Sequence, residues 1–177
     1  GRDVRVTAPR ILDDAGQPAR TVMLFSDITE QKKTERDLRL YAEIFGQIPD
    51  GILITDADNR IVEINDAVTR ITGYARTELI GRNPGMLGSG QHEASFYETL
   101  WRSVRQHGYW QGEINDRRKD GRVIPLLQSI SAAHDAAGRL THHIAVMTDI
   151  SSIKEAQTRL DYLAHHDLLT ELPNRLL

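Results

Sequence analysis

The chain has 177 residues, 40% of them hydrophobic and 27% charged, with a formal net charge of -3. That balance suits one or two globular domains and gives no electrostatic reason to expect nucleic acid or an anionic membrane as partner. The absence of cysteine excludes disulfides, thiolate metal sites and cysteine photochemistry and suits a reducing, cytoplasmic setting, while no apolar run approaches the roughly 18 residues that span a bilayer.

Position 1 is Gly, with neither a starting Met nor a signal-peptide pattern, so a start inside a longer protein is expected. Asp14-Ala15-Gly16 through Val22-Met23-Leu24-Phe25-Ser26-Asp27-Ile28-Thr29 reads as turn, strand and helix start. The same order returns at an offset of 122 residues (Asp27 to Asp149), where Gly138, Asp149, Ile150 and Lys154 answer to Gly16, Asp27, Ile28 and Lys32. Two copies of one hairpin ending make residues 1–30 the expected tail of an earlier domain of the same kind. Two unrelated hairpins sharing common turn residues are the alternative, which the repeated Asp-Ile-Thr/Ser ending disfavours.

Residues 31–47 are charged, with Leu38, Tyr41 and Phe45 at helical spacing, and are expected to form a helical connector. Gly51–Asp56 and Ile61–Asn65 read as two strands joined by a turn at Asp58-Asn59. Short helices are expected over 66–72 and 76–80, then a flexible loop from Asn83-Pro84-Gly85 to Gly88-Ser89-Gly90. An amphipathic helix over 93–107 presents Phe96, Leu100, Trp101 and Val104 on one side. Strands follow at about 109–117, 122–132 and 141–149, with turns at Arg118-Lys119-Asp120-Gly121 and Ala136-Ala137-Gly138. The order is two strands, helices, three strands. It predicts an α+β fold: a five-stranded antiparallel sheet with helices on one face, flanked by connector helices.

Several signposts occur in the order seen in PAS domains, and the chain resembles that family over roughly residues 36–150. They are Asp50-Gly51-Ile52, Ile71-Thr72-Gly73-Tyr74, Leu79-Ile80-Gly81-Arg82-Asn83, Trp110-Gln111-Gly112-Glu113, Arg117-Arg118-Lys119-Asp120-Gly121 and Asp149-Ile150-Ser151. The resemblance implies a sensory and dimerisation module over 48–150, and leaves its signal unnamed.

Residues 151–166 read as an output helix. Ile153, Ala156, Leu160, Leu163 and Asp167 are spaced as an a/d seam, suited to pairing with a second copy. A single helix packed on its own domain is the alternative. At both strand-to-helix junctions, Asp27 and Asp149, or the hydroxyls of Thr29 and Ser151, are candidate caps. The stretch Asp167-Leu168-Leu169-Thr170-Glu171-Leu172-Pro173-Asn174-Arg175 matches all six specified positions of D-x-L-T-x-L-x-N-R, and so resembles the opening of GGDEF domains, the diguanylate cyclases that make cyclic di-GMP. The resemblance implies that 167–177 begins a truncated GGDEF domain in cis whose catalytic residues lie beyond Leu177, so that this segment is not itself an enzyme. Alternatives are a ligand-free dimerisation scaffold, or a regulator of a phosphodiesterase carrying a degenerate GGDEF domain. The expected partner is a second copy, joined through the connector helices and the PAS domain.

PAS domains often hold a ligand between sheet and helices. Leu79-Ile80-Gly81-Arg82-Asn83 resembles the flavin region of LOV and FAD-binding PAS domains. Pro84 stands where LOV proteins carry their reactive Cys, which excludes adduct photochemistry and leaves FAD open. Asn83, Trp101, Trp110, Asn115, Gln128 and Ser129 are the candidate cofactor-binding residues. Related domains usually carry Asn before Arg-Arg-Lys-Asp-Gly, whereas this chain has Asp116. The adjacent Asn115 points to the opposite face of a strand and cannot substitute. Haem would need an inward His on or before the long helix, and His92 and His107 are expected to be exposed. No third ligand accompanies His142-His143 or His165-His166, so no metal is expected.

Overall fold

Residues 3–12, 18–21 and 23–165 are described by the structure, a computed structural model. Four short strands come first: β1 (Val4–Thr7), β2 (Arg10–Leu12), β3 (Pro18–Thr21) and β4 (Leu24–Asp27), followed by helix α1 (Thr29–Gln47). β1 pairs with β4 and β2 with β3, both antiparallel. Asp27 Oδ1 accepts from the Thr29 N–H at 3.0 Å, which caps α1. The Ile28 N–H donates to the Asp3 carbonyl at 2.9 Å. No residue of α1 is buried, and Val4, Val6, Met23, Leu24 and Phe25 are exposed as well.

Residues 1–45 form one compact unit and residues 46–177 another. The second contains β5 (Gly51–Asp56), β6 (Ile61–Ile64), α2 (Asp66–Thr72), α3 (Arg76–Leu79), a 3-10 helix (Pro84–Leu87), α4 (Ala94–His107), β7 (Tyr109–Arg117), β8 (Val123–His134), β9 (Leu140–Asp149) and α5 (Ser151–His165). Its five strands make one antiparallel sheet in the order β6-β5-β9-β8-β7. This is the α+β arrangement that the element order predicts.

Period-two alternation selects the inner face. Leu53, Ile114, Ile124, Leu126, Ile130, Ala145 and Met147 are buried there against Val68, Ile71, Leu79, Leu87, Leu100 and Val104 of the helices and loop. Fully burying a Leu or Ile side chain stabilises a fold by roughly 1.5–3 kcal/mol, so these packed residues dominate the unit's stability. Two glycines are needed for the packing. A Cβ on Gly51 would lie 2.5 Å from Met147 Cγ, and Gly73 ends α2 in the left-handed region at φ 76°.

The 122-residue repeat extends further in space than in sequence. Val4 pairs with Asp27 as Leu126 pairs with Asp149, and Arg10 pairs with Thr21 as Ala132 pairs with His143. The register shifts between Ile11 and Leu12 in one hairpin and between Ala133 and His134 in the other, again at the same offset. The Ile150 N–H donates to the Pro125 carbonyl at 3.1 Å, as Ile28 does to Asp3. Gly16, one of the matching residues, lies outside the described residues.

The segment expected as a flexible loop is instead pinned. Asn83 Oδ1 accepts from the Gly85 N–H at 2.8 Å and caps the 3-10 helix. Gly88 bridges Asp116, and the Ser89 N–H donates to the Asn115 carbonyl at 3.3 Å. These bonds cover the outer edge of β7, whose free N–H and C=O groups would otherwise face water. Glycine content signalled a loop; strand-edge pairing, a tertiary contact, gives it order.

Candidate functional site

A cavity of about 410 Å³ opens between the inner face of the sheet and the helices, within the range of small-molecule sites. β5 contributes Leu53 and Thr55, β7 Ile114 and Asp116, β8 Gln128 and Ile130, and β9 His143, Ala145 and Met147. Tyr97, Leu100 and Trp101 of α4 form the opposite wall, and Asn83, Gly88 and Gly90 the lip. Strand register places Thr55 directly beside His143 on the central strands, with Asp116 on the edge strand.

The polar groups divide into satisfied and unsatisfied ones. Thr55 Oγ1 lies 3.4 Å from His143 Nδ1, and the Trp101 ring meets His143 edge-on at 5.3 Å. Burial lowers the pKa of His143, against a hydrogen bond to the Asp56 backbone that raises it. Gln128 and Asp116 are both buried, and no hydrogen bond reaches either side chain among the described residues. Burial pushes the Asp116 carboxyl up to about 7. Burial also raises the Tyr97 phenol, with a smaller contribution from the neighbouring Asp116 charge.

Of the six candidate cofactor residues, Asn83, Trp101 and Gln128 line the cavity. Trp110 packs against the core, edge-on to Phe96 at 5.8 Å. Asn115 and Ser129 alternate with the buried Asp116 and Gln128 and so occupy the other face of the sheet. Thr55, His143 and Tyr97 were not among the candidates. The period-two pattern alone would have placed Thr55 and His143 inward, because each lies two residues from a buried apolar neighbour. His107 is exposed as expected, but His92 is half-buried. Its Nε2 accepts from the Asn115 N–H at 2.8 Å, and its ring stacks on Phe96 at 4.2 Å, so that nitrogen is occupied as an edge latch. Among the described residues no group of three His, Asp or Glu could hold a metal ion, and no helix is long and apolar enough to cross a membrane.

The Arg117–Gly121 signpost serves as a tether. Arg117 bonds the Ser89 carbonyl, Arg118 Nη2 donates to the Arg70 carbonyl at 3.0 Å, and the Lys119 N–H donates to the Thr72 carbonyl at 2.9 Å. Lys119 Nζ also pairs with Glu78 at 2.7 Å. One turn thus fastens the lip of the cavity and the end of α2 to the β7–β8 hairpin.

β9 carries the cavity wall directly into α5. Asp149 follows Met147 by two residues, and its Oδ1 accepts from the Ser151 N–H at 2.9 Å. Ile150 is buried, and Lys154 Nζ pairs with Glu113 at 2.7 Å. Two residues of the expected seam are open to solvent, Ile153 at 58% and Leu160 at 65% exposure, and Leu163 is half-buried.

The sequence profile of the PAS domain family matches residues 49–152, which include the whole sheet and every residue of the cavity. The chain belongs to the PAS domain family. It is 30% identical over 127 residues to a nitrogen fixation regulatory protein of Klebsiella oxytoca, covering 72% of this chain and 26% of that protein. It is 27% identical over 173 residues to the sensor protein FixL of Bradyrhizobium diazoefficiens, covering 92% of this chain and 34% of that one. The biofilm dispersion protein BdlA of Pseudomonas aeruginosa is 26% identical over 121 residues, covering 66% of this chain and 29% of that one. The chain therefore spans roughly a quarter to a third of these relatives. A PAS domain structure from Colwellia psychrerythraea matches with a TM-score of 0.61 at 22% identity, covering 66% of this chain and 98% of that one, a likeness of fold. This chain is thus a PAS sensory module of the kind found in signalling proteins.

Proposed function

We propose that this PAS module reads a small ligand in its cavity and passes the occupancy through α5 to a GGDEF domain beginning at Asp167. The observation that carries the reading is continuity of strand β9. His143, Ala145 and Met147 line the cavity, and the same strand ends two residues later at the Asp149 cap that starts α5. A ligand that moves β9 moves the helix, because a capped and buried junction transmits angle rather than absorbing it. The Asp167–Arg175 motif supports the GGDEF assignment; it lies outside the described residues. The pairing of two copies through α5 is supported by the exposed Ile153 and Leu160. Cyclic di-GMP synthesis joins two GTP molecules, each held by one cyclase domain, so helix pairing would set how two such domains face each other.

Residues 1–30 are read as the C-terminal strands of a preceding PAS domain. The equal register and equal bulge position of the two hairpins support this. Val4, Val6, Met23 and Phe25 sit at the offsets of Leu126, Gln128, Ala145 and Met147, which are buried in the complete domain.

The test is a full-length protein carrying Leu160→Glu. Cyclase output from GTP should lose its dependence on the PAS module while the module keeps its unfolding midpoint. Output and regulation identical to wild type would refute the transmission route.

A further inference from the structure

Asp116 is the only acidic or basic side chain in the buried set of the described residues, at 6% exposure. It faces the cavity, and no hydrogen bond or ion pair reaches its carboxyl among the described residues. The groups around it offer no counter-charge. Arg117 is committed to the Ser89 carbonyl and His92 to the Asn115 N–H. Tyr97 of α4 is the ionisable neighbour, and no hydrogen bond joins its phenol to the carboxyl among the described residues. From β8 the register neighbour is Ile124, and His143 of β9 is engaged with Thr55 and Trp101. A buried carboxyl without a partner is costly, and such groups concentrate where a ligand supplies the missing contact. Gln128 is a second buried polar side chain in the same cavity without a bond.

We propose that Asp116 anchors the ligand, and that the ligand is a flat nitrogen heterocycle presenting an amidine-like pair of N–H donors to its carboxyl. This rests on the cavity reading given above. The two carboxylate oxygens accept two parallel N–H bonds, the strongest geometry a carboxylate offers. Leu100 and Trp101 cover the ring faces, and the Gln128 amide supplies one donor and one acceptor to another edge. Oxidised flavin fits these residues poorly. Its pyrimidine edge sets one N–H between two carbonyls, and an ionised carboxylate facing that edge meets two acceptors for one donor. An amide would match that edge, but Asn83 sits at the lip with its oxygen bonded to Gly85, and Gln128 lies four residues along β8 from Ile124, the register partner of Asp116, so a flavin edge on Gln128 would leave the Asp116 carboxyl unmatched.

Benzamidine is the probe, with neutral benzamide as its isosteric control. Isothermal titration of the whole chain should show benzamidine binding at least tenfold tighter than benzamide at pH 8. The cavity holds the carboxyl at about 7, so benzamidine affinity should fall about tenfold from pH 8 to pH 6 as Asp116 takes up its proton. Asp116→Asn should remove both the preference and the pH dependence, and Asp116→Ala gives the same reading if the first variant folds poorly. Equal binding of the two probes, or a preference that survives both variants, overturns the proposal. Amide shifts at Gln128 and Met147 separate the two levels of failure. If lumiflavin or benzamide shifts them and benzamidine has no advantage, the ligand class is wrong and the cavity reading stands. If no probe shifts them up to its solubility limit, both fall.

Discussion

Asn65 and Asp116 are both buried polar side chains, and they stand at opposite ends of the same rule. Asn65 uses both ends of its amide: Oδ1 accepts from the Ile52 N–H at 2.9 Å and the Val68 N–H at 3.3 Å, and Nδ2 donates to the Asp50 carbonyl at 2.9 Å. It caps α2 and ties it to β5, so its burial stabilises. Asp116 makes no such bonds, and burial raises its pKa instead. Because its pKa rises from 3.8 in the unfolded chain to about 7 in the fold, the fold binds the proton more tightly. Stability from this group is therefore fully present below about pH 3.8 and is lost as pH rises toward 7. A shift of that size corresponds to a loss on the order of 4 kcal/mol across the window. Asp116→Asn, with no proton to lose, should raise the thermal midpoint at pH 8 by several degrees and change it much less at pH 5. An equal effect at both pH values would show that Asp116 ionises in the fold as readily as in the unfolded chain. At the other junction, Asp149→Ala removes the acceptor for the Ser151 N–H and should cost about 1 kcal/mol. The loss should appear as faster amide exchange in the first turn of α5, with the sheet amides unchanged.

Helices α1 and α5 behave as one kind of element. Each follows a strand ending in Asp, each is capped by that Asp, and each exposes apolar residues, Leu38 and Tyr41 in one and Ile153 and Leu160 in the other. Leu38 and Leu160 occupy the same place in the repeat, so the two helices leave their caps with the same rotational phase. Burying a seam Leu between two copies favours pairing, and a carboxylate at that position opposes it by desolvation. Sedimentation should show a dimer constant at least tenfold weaker for Leu160→Glu than for wild type, with the cavity residues unperturbed. Equal constants would place dimerisation on another surface, such as the outer face of the sheet or α1. The strap over β7 is the other element with a testable anchor. His92→Ala deletes the acceptor for the Asn115 N–H and the stack on Phe96. It should loosen residues 88–92 in proteolysis and amide exchange at a cost of about 1–2 kcal/mol; unchanged protection there would assign the ordering of the strap to Arg117 and Gly88 alone.

At the scale of the chain, the two units differ in how they are held. The 46–177 unit owns a continuous apolar core, from Ile61 and Leu79 to Leu126 and Met147, each no more than 1% exposed. Residues 1–45 have two hairpin pairings and no buried residue in α1. A two-stranded pairing without a packed face is marginal in water. A fragment of residues 46–165 should therefore unfold cooperatively within about 3 °C of the whole chain, since the main transition reports one core. A fragment of 1–45 should show no cooperative transition. A large loss of midpoint in the first fragment would mean that the first unit contributes to the stability of the second.

The sequence by itself determined the α+β class, the order of the strands and helices, and the repeat, because period-two alternation, turn residues and capping groups act over a few residues and leave local marks. It also marked Asp116 as out of pattern. Only the tertiary structure decided which marks meet. Strand period sets Asn115 and Asp116 on opposite faces, but that the cavity meets the face of Asp116 and Gln128 rather than that of Asn115 and Ser129 is a tertiary outcome. Cross-strand pairing put Thr55 beside His143 across 88 residues of chain. The Arg117–Gly121 signpost reads from sequence as a turn in a family signature, and only the fold shows its partners to be the carbonyls of Ser89, Arg70 and Thr72. Contacts between distant segments carry no local periodicity, so whether a polar residue is satisfied, as Asn65 is, or left open to a cavity, as Asp116 is, is settled only when the sheet closes.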